Sequence, residues 1–107
     1  MSDKKVPSKH YQKLTKMFPD VLSAVENLGS TIRDAGPIDK KTSELIQLAV
    51  AAASQSTGSV HSHTRRALQA GASEEEIYHT LLLIVSTVGF PKAAAALAWV
   101  SEIIDTQ

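Results

Sequence analysis

From Leu22 to Ile104 the apolar residues recur at intervals of three and four, and no β-branched run alternates with polar residues over the length of a strand. A repeat near 3.6 gathers such residues on one side of a helix, whereas a half-buried strand needs a repeat of two. The chain is therefore expected to be all-α. Breakers divide it into six helices. Tyr11, Leu14 and Met17 mark a short first helix over about 8–17, and Pro19 ends it and suits the first turn of a second. That second helix carries Leu22, Val25, Leu28 and Ile32 and stops at Ala35-Gly36-Pro37, the clearest break in the chain. Asp39 is a good N-cap for a third helix running to about Gln55. Ser56-Thr57-Gly58-Ser59 reads as a turn in which Thr57 or Ser59 caps a fourth helix ending at Gly71. Ser73 with Glu76 forms a capping box for a fifth helix to Gly89, and Pro91 opens a sixth to about residue 105.

With 107 residues the chain has room for a single domain of residues 1–107, with a leading arm and short helix over 1–18 and a core over 20–105. The fifth helix, with Ile77, Leu81 to Val85 and Val88, and the sixth, with Ala93 to Ala98, Trp99, Val100, Ile103 and Ile104, leave little polar circumference. A helix apolar all round is buried all round, and a domain of this size encloses two such helices only with difficulty. Part of that surface, including some of Leu81 to Val85 and Trp99 to Ile104, is expected to meet another copy of the chain. Eleven basic residues against eleven acidic ones give no net charge, so no nucleic-acid footprint is present. Five of the eight lysines precede Met17 and read as a solvated face. No apolar run approaches the ~20 residues of a membrane span, and the start lacks the apolar core of a signal peptide, so a cytoplasmic protein is expected. No cysteine is present, which excludes disulfides, Cys-zinc sites and thiol mechanisms for the chain as it stands.

Chemistry-bearing side chains concentrate in Gln55-Ser56-Thr57-Gly58-Ser59-Val60-His61-Ser62-His63-Thr64-Arg65-Arg66. Ser59, His63 and Arg66 share one face of the fourth helix. Glu44 and Gln55, three turns apart, share one face of the third. A hairpin between the two helices would bring Glu44, His63 and the two serine hydroxyls together. Glu44 is expected on the inward face, approaching His63 within about one bridging water beside Ser59. Each residue also has an ordinary reading, the serines as helix caps, His63 as a packed imidazole and Glu44 as a solvated carboxylate. His61 and His63 point to opposite sides of a helix, so no metal site and no cofactor are expected. A Ser-His-Glu hydrolase lacks its nucleophile-elbow signature here.

The pattern of Glu44, Ser56-x-x-Ser59 and His63, followed by Thr64-Arg65-Arg66-Ala67-Leu68-x-Ala70-Gly71-Ala72-Ser73-x-Glu75-Glu76-Ile77 and then Gly89-Phe90-Pro91, resembles the alkylhydroperoxidase D and carboxymuconolactone decarboxylase family over about residues 20–105. The resemblance implies a six-helix domain, with the third and fourth helices as the active-site hairpin, assembled into homo-oligomers such as trimers or hexamers. Members with alkylhydroperoxidase-type chemistry carry cysteines where Ser56 and Ser59 stand, and a Glu and a His matching Glu44 and His63 relay protons to a thiol. They often have a further His where this chain has Gly58. A hydroxyl is far less acidic than a thiol, forms no sulfenic acid with a peroxide and closes no disulfide.

Serine keeps the shape of cysteine and removes the sulfur, whether by natural loss or by engineered replacement. Three functions remain open on this reading. One is the site geometry of a thiol-dependent hydroperoxide or disulfide reductase (peroxiredoxin-type activity), redox-inactive because of Ser56 and Ser59. The second is a cysteine-independent lyase in which His63 and Glu44 act as acid and base on a small carboxylated lactone held by Arg65 or Arg66. The third is a non-catalytic oligomeric binding or scaffold protein.

Overall fold

The break at Gly36-Pro37 falls where the chain divides into two units, one ending at Ile38 and one beginning at Asp39. The computed structural model describes residues 9–106; the first eight residues of the expected leading arm lie outside them. The described residues are helical with no strand. The first unit is a pair of packed helices, α1 (Lys9–Met17) and α2 (Pro19–Asp34). Pro19 occupies the first turn of α2, where its missing N–H costs nothing. The Tyr11 hydroxyl donates to the Glu26 carboxylate across the pair. Two helices cannot enclose a core, and no residue of either is buried. Val25, Leu28 and Ile32 of the expected apolar face remain exposed, and Leu22 is half-buried.

The second unit holds α3 (Lys40–Ala53), α4 (Thr57–Gln69), α5 (Glu74–Leu83), α6 (Val85–Val88) and α7 (Phe90–Ile104). Asp39 caps α3 by accepting from the Thr42 N–H at 3.1 Å. The Ser73–Glu76 capping box forms in full, with the Glu76 N–H donating to Ser73 Oγ and the Ser73 N–H to Glu76 Oε1. α3 packs along α4, α4 along α7, and α5 against α3 and α7. Leu48, Val60, Ala67, Ile77, Leu81, Ala96 and Val100 meet in a core from which solvent is excluded. Two polar pairs tie the outer faces: His61 Nε2 lies 2.8 Å from Glu102 Oε1, and the Tyr78 and Ser101 hydroxyls are 2.7 Å apart.

Two helix boundaries differ from expectation. The fifth helix is not continuous to Gly89. It ends at Leu83, and a single turn, α6, follows Ile84. A run of β-branched residues, Ile84 and Val85 then Thr87 and Val88, disfavours continuation. The third helix stops at Ala53, two residues short of Gln55. Within the stretch Trp99 to Ile104, Val100, Ile103 and Ile104 are buried in the chain itself and Trp99 is half-buried. Gly89 joins α6 to α7 at φ 99°, ψ 152°, a conformation essentially confined to glycine.

Candidate functional site

The α3–α4 connection is short because the backbone reverses within two residues. Ser54 ends α3 in right-handed geometry, Gln55 takes φ 56°, and Ser56 is extended. A left-handed residue after a helix lets the chain turn back while its N–H groups satisfy the last carbonyls. The Gln55 and Ser56 N–H groups donate to Ala52 O and Ala51 O at 3.0 and 3.1 Å. The Gln55 amide donates to Ala52 O at 2.7 Å and to Lys92 O of α7 at 3.2 Å. Gln55 thus leaves the Glu44 face expected for it, because the helix ends before reaching it. Ser54, just past the end of α3, lines the neighbouring pocket instead.

Ser56 is the N-cap of α4, in keeping with its ordinary reading as a helix cap and ahead of Thr57 and Ser59, although its hydroxyl makes no capping hydrogen bond. Ser59 lies in the first turn of the helix, and His63 follows one turn later. Glu44 sits on the inner stripe of α3, only 3% exposed, and its Oε1 is 2.8 Å from His63 Nδ1. The contact is direct, closer than a bridging water. A carboxylate can only accept, so Nδ1 carries the hydrogen and Nε2 remains for other work. Burial of Glu44 without a partner would be costly; the imidazole supplies one.

Beside this pair lies an open pocket of about 330 Å³. Gln47, Val50, Ala51 and Ser54 line it from α3 together with Ile46, and Ser56, Ser59 and His63 line it from the other side. Small Ala51 is what lets the two helices approach at this level. Ile46 and Val50 are 48% and 60% exposed and form an apolar rim. Gln47 is held by its own helix, donating to Ser43 O and Oγ at 3.1 and 2.9 Å. The sequence reading missed Ile46, Gln47, Val50 and Ser54 as lining residues; their mutual spacing of three and four along one face was the available signal.

The structure therefore brings Glu44, Ser56, Ser59 and His63 to one place. It does not bring the two arginines there: Arg65 and Arg66 are half-buried on α4 and do not line the pocket. Gly58, on the outer side of the same first turn, has open space where a side chain would project. Among the described residues no group of three His, Cys, Asp or Glu side chains is arranged to hold a metal. No described helix is long and apolar enough to cross a membrane.

Comparison with known proteins gives a consistent setting for this geometry. The model of the carboxymuconolactone decarboxylase family matches residues 19–102. An uncharacterized protein of Methanocaldococcus jannaschii is 26% identical over 102 residues, which is 95% of each chain. The crystal structure of an apo carboxymuconolactone decarboxylase family protein from Legionella pneumophila superposes with a TM-score of 0.77 at 28% identity, covering 90% of this chain and 86% of that one.

Proposed function

The chain belongs to the carboxymuconolactone decarboxylase family, and on that premise we propose that its α3–α4 pocket has the site geometry of a thiol-dependent hydroperoxide or disulfide reductase, with Ser56 and Ser59 at the two sulfur positions and no redox turnover of its own. The observation that carries this reading is the direct Glu44–His63 contact beside a pocket lined by both serines. Thiols at 56 and 59 would lie in the first turn of α4, where the helix end and a neighbouring imidazole both favour a thiolate. A thiolate attacking a hydroperoxide takes one oxygen as sulfenic acid and releases the alcohol. The second thiol then displaces water to close a disulfide, which an external dithiol reduces. Hydroxyls perform none of these steps.

The test is the double variant Ser56→Cys, Ser59→Cys, treated with an alkyl hydroperoxide and then with dithiothreitol. An intramolecular disulfide and dithiol-dependent peroxide loss are expected in the variant and neither in the parent chain. Failure of the variant to close that disulfide, or peroxide turnover by the parent after removal of trace metals, would refute the reading. His63→Ala within the cysteine variant is expected to slow the thiol step by roughly 10²-fold or more.

A second reading is favoured by one observation: the carboxylate–imidazole pair is complete without sulfur. With Nδ1 bound to Glu44, Nε2 is left to accept a proton, as a cysteine-independent lyase resembling carboxymuconolactone decarboxylase would require. Exchange of a substrate C–H proton with solvent, lost in His63→Ala, would separate it from the first. On either reading the chain is proposed to form a homo-oligomer, a trimer or hexamer, through the exposed apolar residues Leu82, Leu83 and Phe90.

A further inference from the structure

The first unit carries a regular apolar stripe that its own two helices leave uncovered. Phe18, Val21, Val25, Leu28 and Ile32 recur along α2 at intervals of three and four, and each is more than half exposed. α1 lies along a different stripe: its Tyr11 bonds Glu26, and the half-buried residues of α2 are Leu22, Gly29 and Arg33. A strict repeat of three and four is the seam that one helix presents to another, and the flanks of the seam decide which helix it accepts. On the open side those flanks are Ala24 and Thr31, small and uncharged, with Asp20 and Asp34 a step further round. Two such seams meet with no like charges opposed.

The spacing also reads the same in both directions. Reversed about a point midway between Glu26 and Asn27, the stripe falls on itself, with Val21 exchanging places with Ile32, Val25 with Leu28 and Phe18 with Ala35. Each exchange sets a larger side chain against a smaller one, as interdigitating layers require. Such symmetry is what a second copy related by a twofold axis needs, because there residue i meets j and j meets i. The five side chains offer roughly 500 Å² per copy and so about 1,000 Å² for a pair, which reaches the area a biological interface needs. An anionic membrane fits less well. α2 carries Asp20, Glu26 and Asp34 against Arg33, whereas helices lying on such surfaces carry lysine and arginine beside the apolar stripe.

We propose that this stripe is a contact between two copies of the chain, in which α2 lies antiparallel to α2 of the second copy about a twofold axis level with residues 26 and 27. The contact is separate from Leu82, Leu83 and Phe90 and independent of the chemistry of the α3–α4 pocket. It makes the number of chains in the assembly even, and so selects the hexamer over the trimer.

The chain has no cysteine, so single introduced cysteines report this register. In the antiparallel pair the two copies of residue 25, or of residue 28, lie about 4.5 Å apart along the axis, and those of residue 21 or 32 about 16 Å. Val25→Cys and Leu28→Cys are therefore expected to self-link with bismaleimidoethane, which reaches across about one and a half helical turns. Val21→Cys and Ile32→Cys are expected not to self-link but to link to each other when mixed. Val25→Asp, at a site exposed within the chain, is expected to keep its helical circular dichroism and to weaken association about 100-fold or more, halving the mass seen by sedimentation at low-micromolar concentration. Linking at none of the four positions, equal self-linking at all four, or an unchanged mass in a folded Val25→Asp protein would overturn the proposal, as would a monomeric or trimeric parent chain. Cosedimentation of the parent with phosphatidylglycerol vesicles, lost in Val25→Asp, would overturn it too, by assigning the stripe to a lipid surface.

Discussion

Leu81 and Leu82 are neighbours in α5 with identical side chains and opposite surroundings, the first fully buried and the second 53% exposed. Truncating Leu81 removes three carbons from a closed core formed with Leu48, Ile77 and Val100. Lost transfer energy and the cavity left behind together cost about 3 kcal/mol, within the usual 2–5 for such a change. In a chain of this length each kcal/mol lowers Tm by roughly 5 °C, so Leu81→Ala should melt some 15 °C early. Leu82 loses far less by its packing within the chain, about 1 kcal/mol at most for a side chain already half in water. Any additional cost at Leu82 belongs to the proposed contact between copies and must grow with protein concentration. Urea unfolding followed by circular dichroism, at two protein concentrations a hundredfold apart, separates the terms. A Leu81→Ala cost below about 1 kcal/mol would refute the assignment of the core. Equal costs at both positions with no concentration dependence would refute the argument from burial altogether.

Two further outcomes are expected. Gly89→Ala should destabilise by about 1–3 kcal/mol although no atom crowds the added methyl closely, because its backbone at φ 99° and ψ 152° excludes other residues; an unchanged urea midpoint would show that the α6–α7 junction relaxes freely. Asp39 is held below its ordinary 3.8 by its hydrogen bonds with Thr42, and Glu76 below its ordinary 4.5 first by the Ser73 N–H and then by Lys41. A carboxyl lowered in the folded state contributes stability that is present above its unfolded value and lost as pH falls through the folded one. Asp39→Asn with Glu76→Gln, which keep the caps and remove the titration, should therefore flatten the fall in stability between about pH 5 and 3; an unchanged slope would show that neither cap carries the acid sensitivity.

Much of this molecule is dictated by local chemistry that a sequence exposes. Asp39 and the Ser73–Glu76 box start their helices where expected because capping is settled within four residues. Pro19 and Gly36-Pro37 bound α2 because proline fixes its own backbone. The all-α class follows from a period that no strand accommodates. The meeting of Glu44 with His63 was legible as well, once 44 and 63 were placed on facing sides of a hairpin.

Other features depend on distances that no spacing contains. Gln55 has the right spacing to share a face with Glu44, yet α3 ends at Ala53 and the residue turns outward to bind Ala52 and Lys92. That choice is made by the competition between one more helical residue and a left-handed turn that places α4 against α3. Leu81 and Leu82 are indistinguishable by composition and differ only through which side of α5 meets α7. Arg66 shares a helical face with Ser59 and His63 but does not line the pocket, because the pocket is bounded by where α3 runs and not by the surface of α4 alone. The sequence thus determined the all-α class, where most of the helices start, and which residues carry chemistry. The tertiary structure decided the environment of each, since burial and electrostatic surroundings are set by elements distant along the chain whose packing brings them within a few ångströms.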